Sequence, residues 1–146
     1  MNIFALELSK QEAVFPKPKD FFAAVEKTHL RINGAYAVVA LITGYGIVAF
    51  RDPLGIRPLT IGVRKGKKRN EYVVSSETAL FSATGFKVLR DVEPGEAVFI
   101  DNSGKIFTQQ CFQGSEKKPC IFEYVYLARP DSTCLLYTSP SPRDPM

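Results

Sequence analysis

The spacing of apolar residues changes near residue 35, from a helical period to short runs separated by glycine. Residues 1–8 resemble the end of a helix, because no capping residue precedes their apolar positions. After a polar stretch with proline at 9–19, Asp20 is a natural N-cap for a second helix that runs to Ile32. Asn33 and Gly34 tolerate the left-handed conformation and are predicted to close that helix.

Short β-type runs fill the chain from residue 36 to residue 108, with turn residues between them. Such runs are typical of an antiparallel sheet. The predicted strands are Tyr36–Thr43, Gly46–Phe50, Leu59–Val63, Tyr72–Ser75, Val88–Leu89, Ala97–Asp101 and Lys105–Thr108, with turns at Gly44–Tyr45, Pro94–Gly95 and Asn102–Gly104. Strands that are apolar on both faces need cover on both, which helices at Asp20–Ile32 and Glu77–Ala83 can provide. The pattern predicts a layered α+β fold, followed by a linker at Thr108–Pro119 and a strand at Ile121–Leu127.

Composition places the chain among ordinary soluble proteins. It has 146 residues, of which 45% are hydrophobic and 23% charged, as expected for one globular unit. No apolar run approaches the roughly 18 residues of a membrane span, and no secretory signal is recognisable, so we expect a cytoplasmic protein without a membrane partner. The three cysteines, Cys111, Cys120 and Cys134, form neither a CxxC pair nor an even set, which predicts reduced, unlinked thiols.

Much of the basic excess lies in the segment Arg64–Arg69, although the net charge is only +4. The segment predicts a solvated hairpin tip. The alternative is a nucleic-acid patch with strongly salt-dependent duplex binding, but no aromatic residue interleaves with the cations and we expect no nucleic acid. His29, the single histidine, is predicted to be a packed or half-exposed side chain rather than a catalyst, since no cysteine or acid pairs with it.

The most informative block is RDPLGIRPL at Arg51–Leu59. An Arg51–Asp52 pair closes one strand, Pro53 and Gly55 turn the chain, and the next strand begins at Pro58. Alone, this block indicates a stiff hairpin with an ion pair. It is followed by VVSSETAL at 73–80 and by VEPGE at 92–96.

This ordered set, RDPxGxRPL, then SSExAL, then PGE, resembles the second half of the glutaminase domain of class II amidotransferases. The flanks Asn33–Ala37 and Pro119–Ser132 are similar to amidophosphoribosyltransferases, in which the second flank crosses into the phosphoribosyltransferase domain. The resemblance covers about residues 1–133 and divides the chain into three parts. Residues 1–118 would be the C-terminal part of the glutaminase domain, 119–133 the start of the phosphoribosyltransferase domain, and 134–146 a translated sequencing adapter rather than native sequence.

The resemblance implies an N-terminal nucleophile hydrolase fold, an αββα sandwich of antiparallel sheets with covering helices. It implies an enzyme that takes ammonia from glutamine and transfers it to phosphoribosyl pyrophosphate, giving phosphoribosylamine, glutamate and pyrophosphate in the first step of purine synthesis. Mg²⁺ assists in the full-length family, whose members form homo-oligomers. The family's nucleophile is an amino-terminal cysteine thiolate with its own α-amino group as base.

This chain departs from the family pattern because it starts with Met1 and Asn2 rather than cysteine. The glutamine-binding residues and the acidic phosphoribosyl pyrophosphate loop also fall outside it, so we expect a truncated and inactive piece with no catalytic residue. Structural roles are predicted for Arg51, Asp52, Gly55, Ser76 and Glu77. Cys120 is a candidate iron–sulfur ligand, because some members hold a cluster, although four thiolates are normally required.

Two alternatives stay open at this point. The chain could be part of another class II amidotransferase such as asparagine synthetase, or a non-catalytic binding module. Residues 123–132 argue against the first, and the lack of finished ends argues against the second. We also expect apolar strands such as Tyr36–Ile42 to be left uncovered and to promote association or aggregation.

Overall fold

The computed structural model describes residues 2–11, 15–113, 133–134 and 137–138. The helices are α1 (Asn2–Ser9), α2 (Pro18–Arg31) and α3 (Ala79–Ala83). The strands are β1 (Ala37–Ile42), β2 (Gly46–Arg51), β3 (Thr60–Lys65), β4 (Asn70–Ser75), β5 (Lys87–Asp91), β6 (Glu96–Asp101), β7 (Ile106–Gln110), β8 (Thr133–Cys134) and β9 (Tyr137–Thr138). The predicted strand at 121–127 and the candidate ligand Cys120 lie outside the described residues.

Two antiparallel sheets form the body of the molecule. The first has the strand order β1-β2-β6-β7 and the second the order β4-β3-β5, while β8 and β9 form a two-stranded sheet. In the first sheet Ala40 lies opposite Val48, and Val48 lies opposite Phe99. Arg64 and Lys65 end β3, and residues 66–69 connect it to β4, so the predicted hairpin tip is confirmed.

Helices α1 and α2 cover one face of the first sheet. Side chains alternate along a strand, so Val48 and Phe50 face the helices while Ala49, between them, faces the second sheet. Phe21 and Val25 of α2 are fully buried against this face, and each such side chain contributes about 2–3 kcal/mol of burial energy.

The opposite face of the first sheet packs on the second sheet. Their shared core comprises the buried residues Ala49, Leu59, Ile61, Val92, Val98 and Ile100. On the far side of the second sheet, Phe81 of α3 packs closely against Gly62. A Cβ on Gly62 would stand 2.9 Å from the ring of Phe81. The layers are therefore helix, sheet, sheet and helix, which confirms the predicted αββα sandwich.

Helix α2 begins earlier than predicted. Lys17 is the N-cap and Pro18 opens the helix, because proline in the first turn loses no needed hydrogen bond. Asp20 caps from the third helical position, where its Oδ2 accepts the N–H of Lys17 at 2.7 Å. At the other end Ile32 is extended and Gly34 adopts φ 121° beyond it, so the expected left-handed closure at Asn33 and Gly34 is wrong.

Several other boundaries differ from the prediction. Strand β7 runs to Gln110, so the polar residues 108–110 are strand rather than linker, and α3 begins at Ala79 rather than Glu77. Strand β5 spans five residues although only two were predicted, because pairing with β3 holds its charged ends in the sheet. Within the described ranges, no helix is long and apolar enough to cross a membrane.

Candidate functional site: the junction around Arg51 and Asp52

The junction between the two sheets is formed by residues 51–57, which leave β2, and residues 92–96, which lead into β6. We call these two segments the junction. They bring the predicted motif residues Arg51, Asp52 and Gly55 together with the PGE turn. Ser76 and Glu77 lie elsewhere, in the turn after β4, where the hydroxyl of Ser75 accepts the N–H of Glu77 at 3.1 Å.

Asp52 organises the first half of the junction. Its side chain is fully buried, and its carboxylate accepts the N–H groups of Leu54 at 3.1 Å, Ile56 at 3.0 Å and Arg57 at 3.0 Å. Its carbonyl oxygen accepts the N–H of Gly95 at 3.1 Å. Asp52 therefore fixes the conformation of the loop at residues 52–57 and joins it to the PGE turn. The bonds to its carboxylate are charge-assisted and compensate the cost of burying the charge.

Arg51 joins the loop that follows it to the segment that enters β6, 41 residues further along the chain. Its Nε donates to the carbonyl oxygen of Arg57 at 2.6 Å, its Nη2 to that of Gly55 at 2.8 Å and its Nη1 to that of Val92 at 2.8 Å. The planar guanidinium presents its donors in a fixed fork, which suits carbonyl groups around one plane. The expected ion pair between Arg51 and Asp52 is wrong, because both side chains bind backbone groups instead.

Two glycines allow the halves of the junction to meet. Gly55 has φ 64°, and a Cβ on it would stand 2.8 Å from the Cγ of Pro94. Gly95 has φ 72°, and a Cβ on it would stand 2.8 Å from the carbonyl oxygen of Phe112. Both positions need a left-handed conformation and a close approach, which only glycine provides without strain.

Arg90 and Glu96 hold the PGE turn from the other side. The guanidinium and the carboxylate form two parallel bonds of 2.8 and 2.6 Å, and Glu96 also accepts the N–H of Glu93 at 2.7 Å. Hydrogen bonding to Glu96 raises the pKa of Arg90 above its ordinary value. Arg90 was not predicted from the sequence. It directly follows the short predicted strand Val88–Leu89 and precedes the PGE turn, and its positive charge was the only indication of a role.

A cavity of about 370 Å³ opens beside the junction, lined by His29, Leu30, Ile32, Asn33, Gly34, Pro53, Leu54 and Phe112. His29 is 3% exposed and its Nδ1 lies 2.6 Å from the hydroxyl of Tyr36. Burial lowers the pKa of His29 to about 4 and raises the pKa of Tyr36 to about 12. Both groups are therefore neutral near pH 7, and the expectation of a packed histidine is confirmed.

The cysteine next to the junction, Cys111, donates its N–H to the carbonyl oxygen of Gly95 and is held in its unreactive form. Cys111 is a free, buried thiol, and burial raises its pKa to about 12, which suppresses the reactive thiolate. Among the described residues, no three or more His, Cys, Asp or Glu side chains converge on a possible metal site. The contacts of Arg51 and Asp52 hold backbone groups in place, which is a structural use of both side chains.

The antiparallel sheets and their covering helices have the fold of the N-terminal nucleophile hydrolases, to which class II glutaminase domains belong. An amidophosphoribosyltransferase from Pseudomonas aeruginosa is 50% identical over 132 residues, which cover 90% of this chain and 26% of that protein. Relatives with the same name from Escherichia coli and Schizosaccharomyces pombe are 50% and 41% identical, each over 90% of this chain and covering 26% and 27% of their own lengths. Over the matched range, the chain belongs to the amidophosphoribosyltransferase family.

Solved structures agree with this assignment. The structure described as the allosteric regulatory enzyme of purine biosynthesis has a TM-score of 0.75 and 30% identity, covering 94% of this chain and 27% of its own. The glutamine phosphoribosylpyrophosphate amidotransferase from B. subtilis, complexed with ADP and GMP, has a TM-score of 0.65 and 28% identity over 93% of this chain and 31% of its own. No protein-family model matches the chain. The asparagine synthetase alternative is therefore set aside.

Proposed function

We propose that this chain forms part of the glutaminase domain of an enzyme that transfers glutamine-derived ammonia to phosphoribosyl pyrophosphate. The products are phosphoribosylamine, glutamate and pyrophosphate. The observation that carries the proposal is 50% identity over 90% of the chain to relatives of that name. The chain spans about a quarter of the length of those relatives, 26%, so glutamine and phosphoribosyl pyrophosphate are proposed as substrates of the whole enzyme.

The proposed contribution of the described residues is a rigid scaffold. Arg51 and Asp52 fix the junction through six side-chain hydrogen bonds to backbone groups. Cys111 is held as a thiol and His29 as a neutral imidazole. We therefore expect the isolated chain to release no glutamate from glutamine.

The remaining properties of the whole enzyme are also proposals. We propose that the whole enzyme is a cytoplasmic homo-oligomer that uses Mg²⁺. Some members of the family hold an iron–sulfur cluster, and Cys120 stays a candidate ligand for one. The described residues form no cluster of ligands that fits either group, so neither is assigned to this part of the chain. Structural roles for Ser76 and Glu77, and the division of the chain at residues 118 and 133, stay predictions.

A segment exchange tests the proposal directly. The matched 133 residues of the E. coli relative are replaced by the corresponding segment of this chain, and the purified chimera is assayed for glutamate release and for phosphoribosylamine formation. We expect both activities to be within about tenfold of the parent, because core differences at this identity are largely tolerated when volume and pattern are kept.

The matched control carries Asp52→Ala within the exchanged segment, which removes the carboxylate that organises the junction. We expect this variant to lose glutamine-dependent synthesis and to keep synthesis from added ammonia, which does not need a glutaminase site. A chimera that folds, by circular dichroism and a cooperative melt, but lacks both activities would contradict the proposed function.

A further inference from the structure

We draw no further inference here: the strongest candidate, the cavity of about 370 Å³ beside the junction between the end of α2 and Phe112, opens on a face of a chain that spans about a quarter of its relatives' length, and nothing in the described residues shows what covers it.

Discussion

The Nη1 of Arg51 lies 2.8 Å from the carbonyl oxygen of Val92, a residue 41 positions further along the chain. The bond joins the end of β2 to the segment that enters β6, the two neighbouring strands at the centre of the first sheet. Since Val92 is fully buried, its carbonyl has no water to replace a lost donor. The stability of the junction therefore depends on a contact that closes a long loop.

Arg51→Lys should destabilise the chain by about 2–4 kcal/mol, because one ammonium cannot reach three carbonyls arranged around a guanidinium plane and buried acceptors lose their donors. Urea unfolding followed by circular dichroism measures the loss. Arg69→Lys, at an exposed position with one backbone contact, is the control and should change stability by less than about 0.5 kcal/mol. Equal effects for the two variants would contradict the assigned role of Arg51.

Asp52→Asn should cost about 1–3 kcal/mol, since both carboxylate oxygens accept backbone N–H groups and an amide offers only one oxygen. The matched control is Asp101→Asn. There a single oxygen, Oδ1, accepts all three bonds, from the Ser103 N–H, the Ser103 hydroxyl and the Lys105 N–H, so an amide can replace it with a smaller loss. We therefore expect the urea midpoint at pH 7 to fall further for Asp52→Asn than for Asp101→Asn.

Gly55→Ala should destabilise the chain by about 2–4 kcal/mol, from the left-handed backbone and from the approach of the new methyl group to Pro94. Gly44→Ala separates these contributions, because Gly44 also has a positive φ, 85°, but has no atom within 4 Å of the new Cβ. The excess for Gly55, measured by thermal unfolding, should be at least about 1 kcal/mol. If Gly55→Ala and Gly44→Ala lose the same stability, the new methyl group at residue 55 does not press against Pro94.

Stability should fall on acidification because of His29. Burial lowers the pKa of His29 to about 4 in the folded chain from an ordinary value of 6.5. Between these two values the unfolded chain binds a proton at His29 and the folded chain does not. The stabilisation is fully present above pH 6.5 and is lost as pH falls towards 4, at up to about 1.4 kcal/mol per pH unit. Carboxylates also titrate near the lower end, so the comparison is between wild type and His29→Gln, whose pH slope across this window should be smaller.

The local features of the fold could be predicted from the sequence, and the contacts between distant segments could not. The apolar segment Gly46–Phe50 after the Gly44–Tyr45 turn, and the turn residues around Gly55, predict β2 and the loop after it. Arg51 was expected to pair with its neighbour Asp52, whereas its donors bind Gly55, Arg57 and Val92. That choice depends on where β6 begins in space, and no local spacing contains this information.

The same limit applies to His29 and Arg90. A helical period places His29 on the buried face of α2, but its bond to Tyr36 depends on the angle at which the chain leaves the helix. Arg90 gave little signal because β5 has weak strand propensity, and its pairing with β3 includes an irregular register at Ile61 and Gly62. Helix ends were shifted for a similar reason, since Pro18 rather than Asp20 decided where α2 starts.

Strand β2 contributes consecutive side chains to both cores of the sandwich, with Val48 and Phe50 on one side and Ala49 on the other. A shift of β2 by one residue would exchange the two sets and place the phenyl ring where the methyl group belongs. Neither core can loosen by moving this strand without disturbing the other. The helix-covered half and the inter-sheet half should therefore lose their hydrogen-exchange protection together, in one cooperative opening, although they are different hydrophobic clusters.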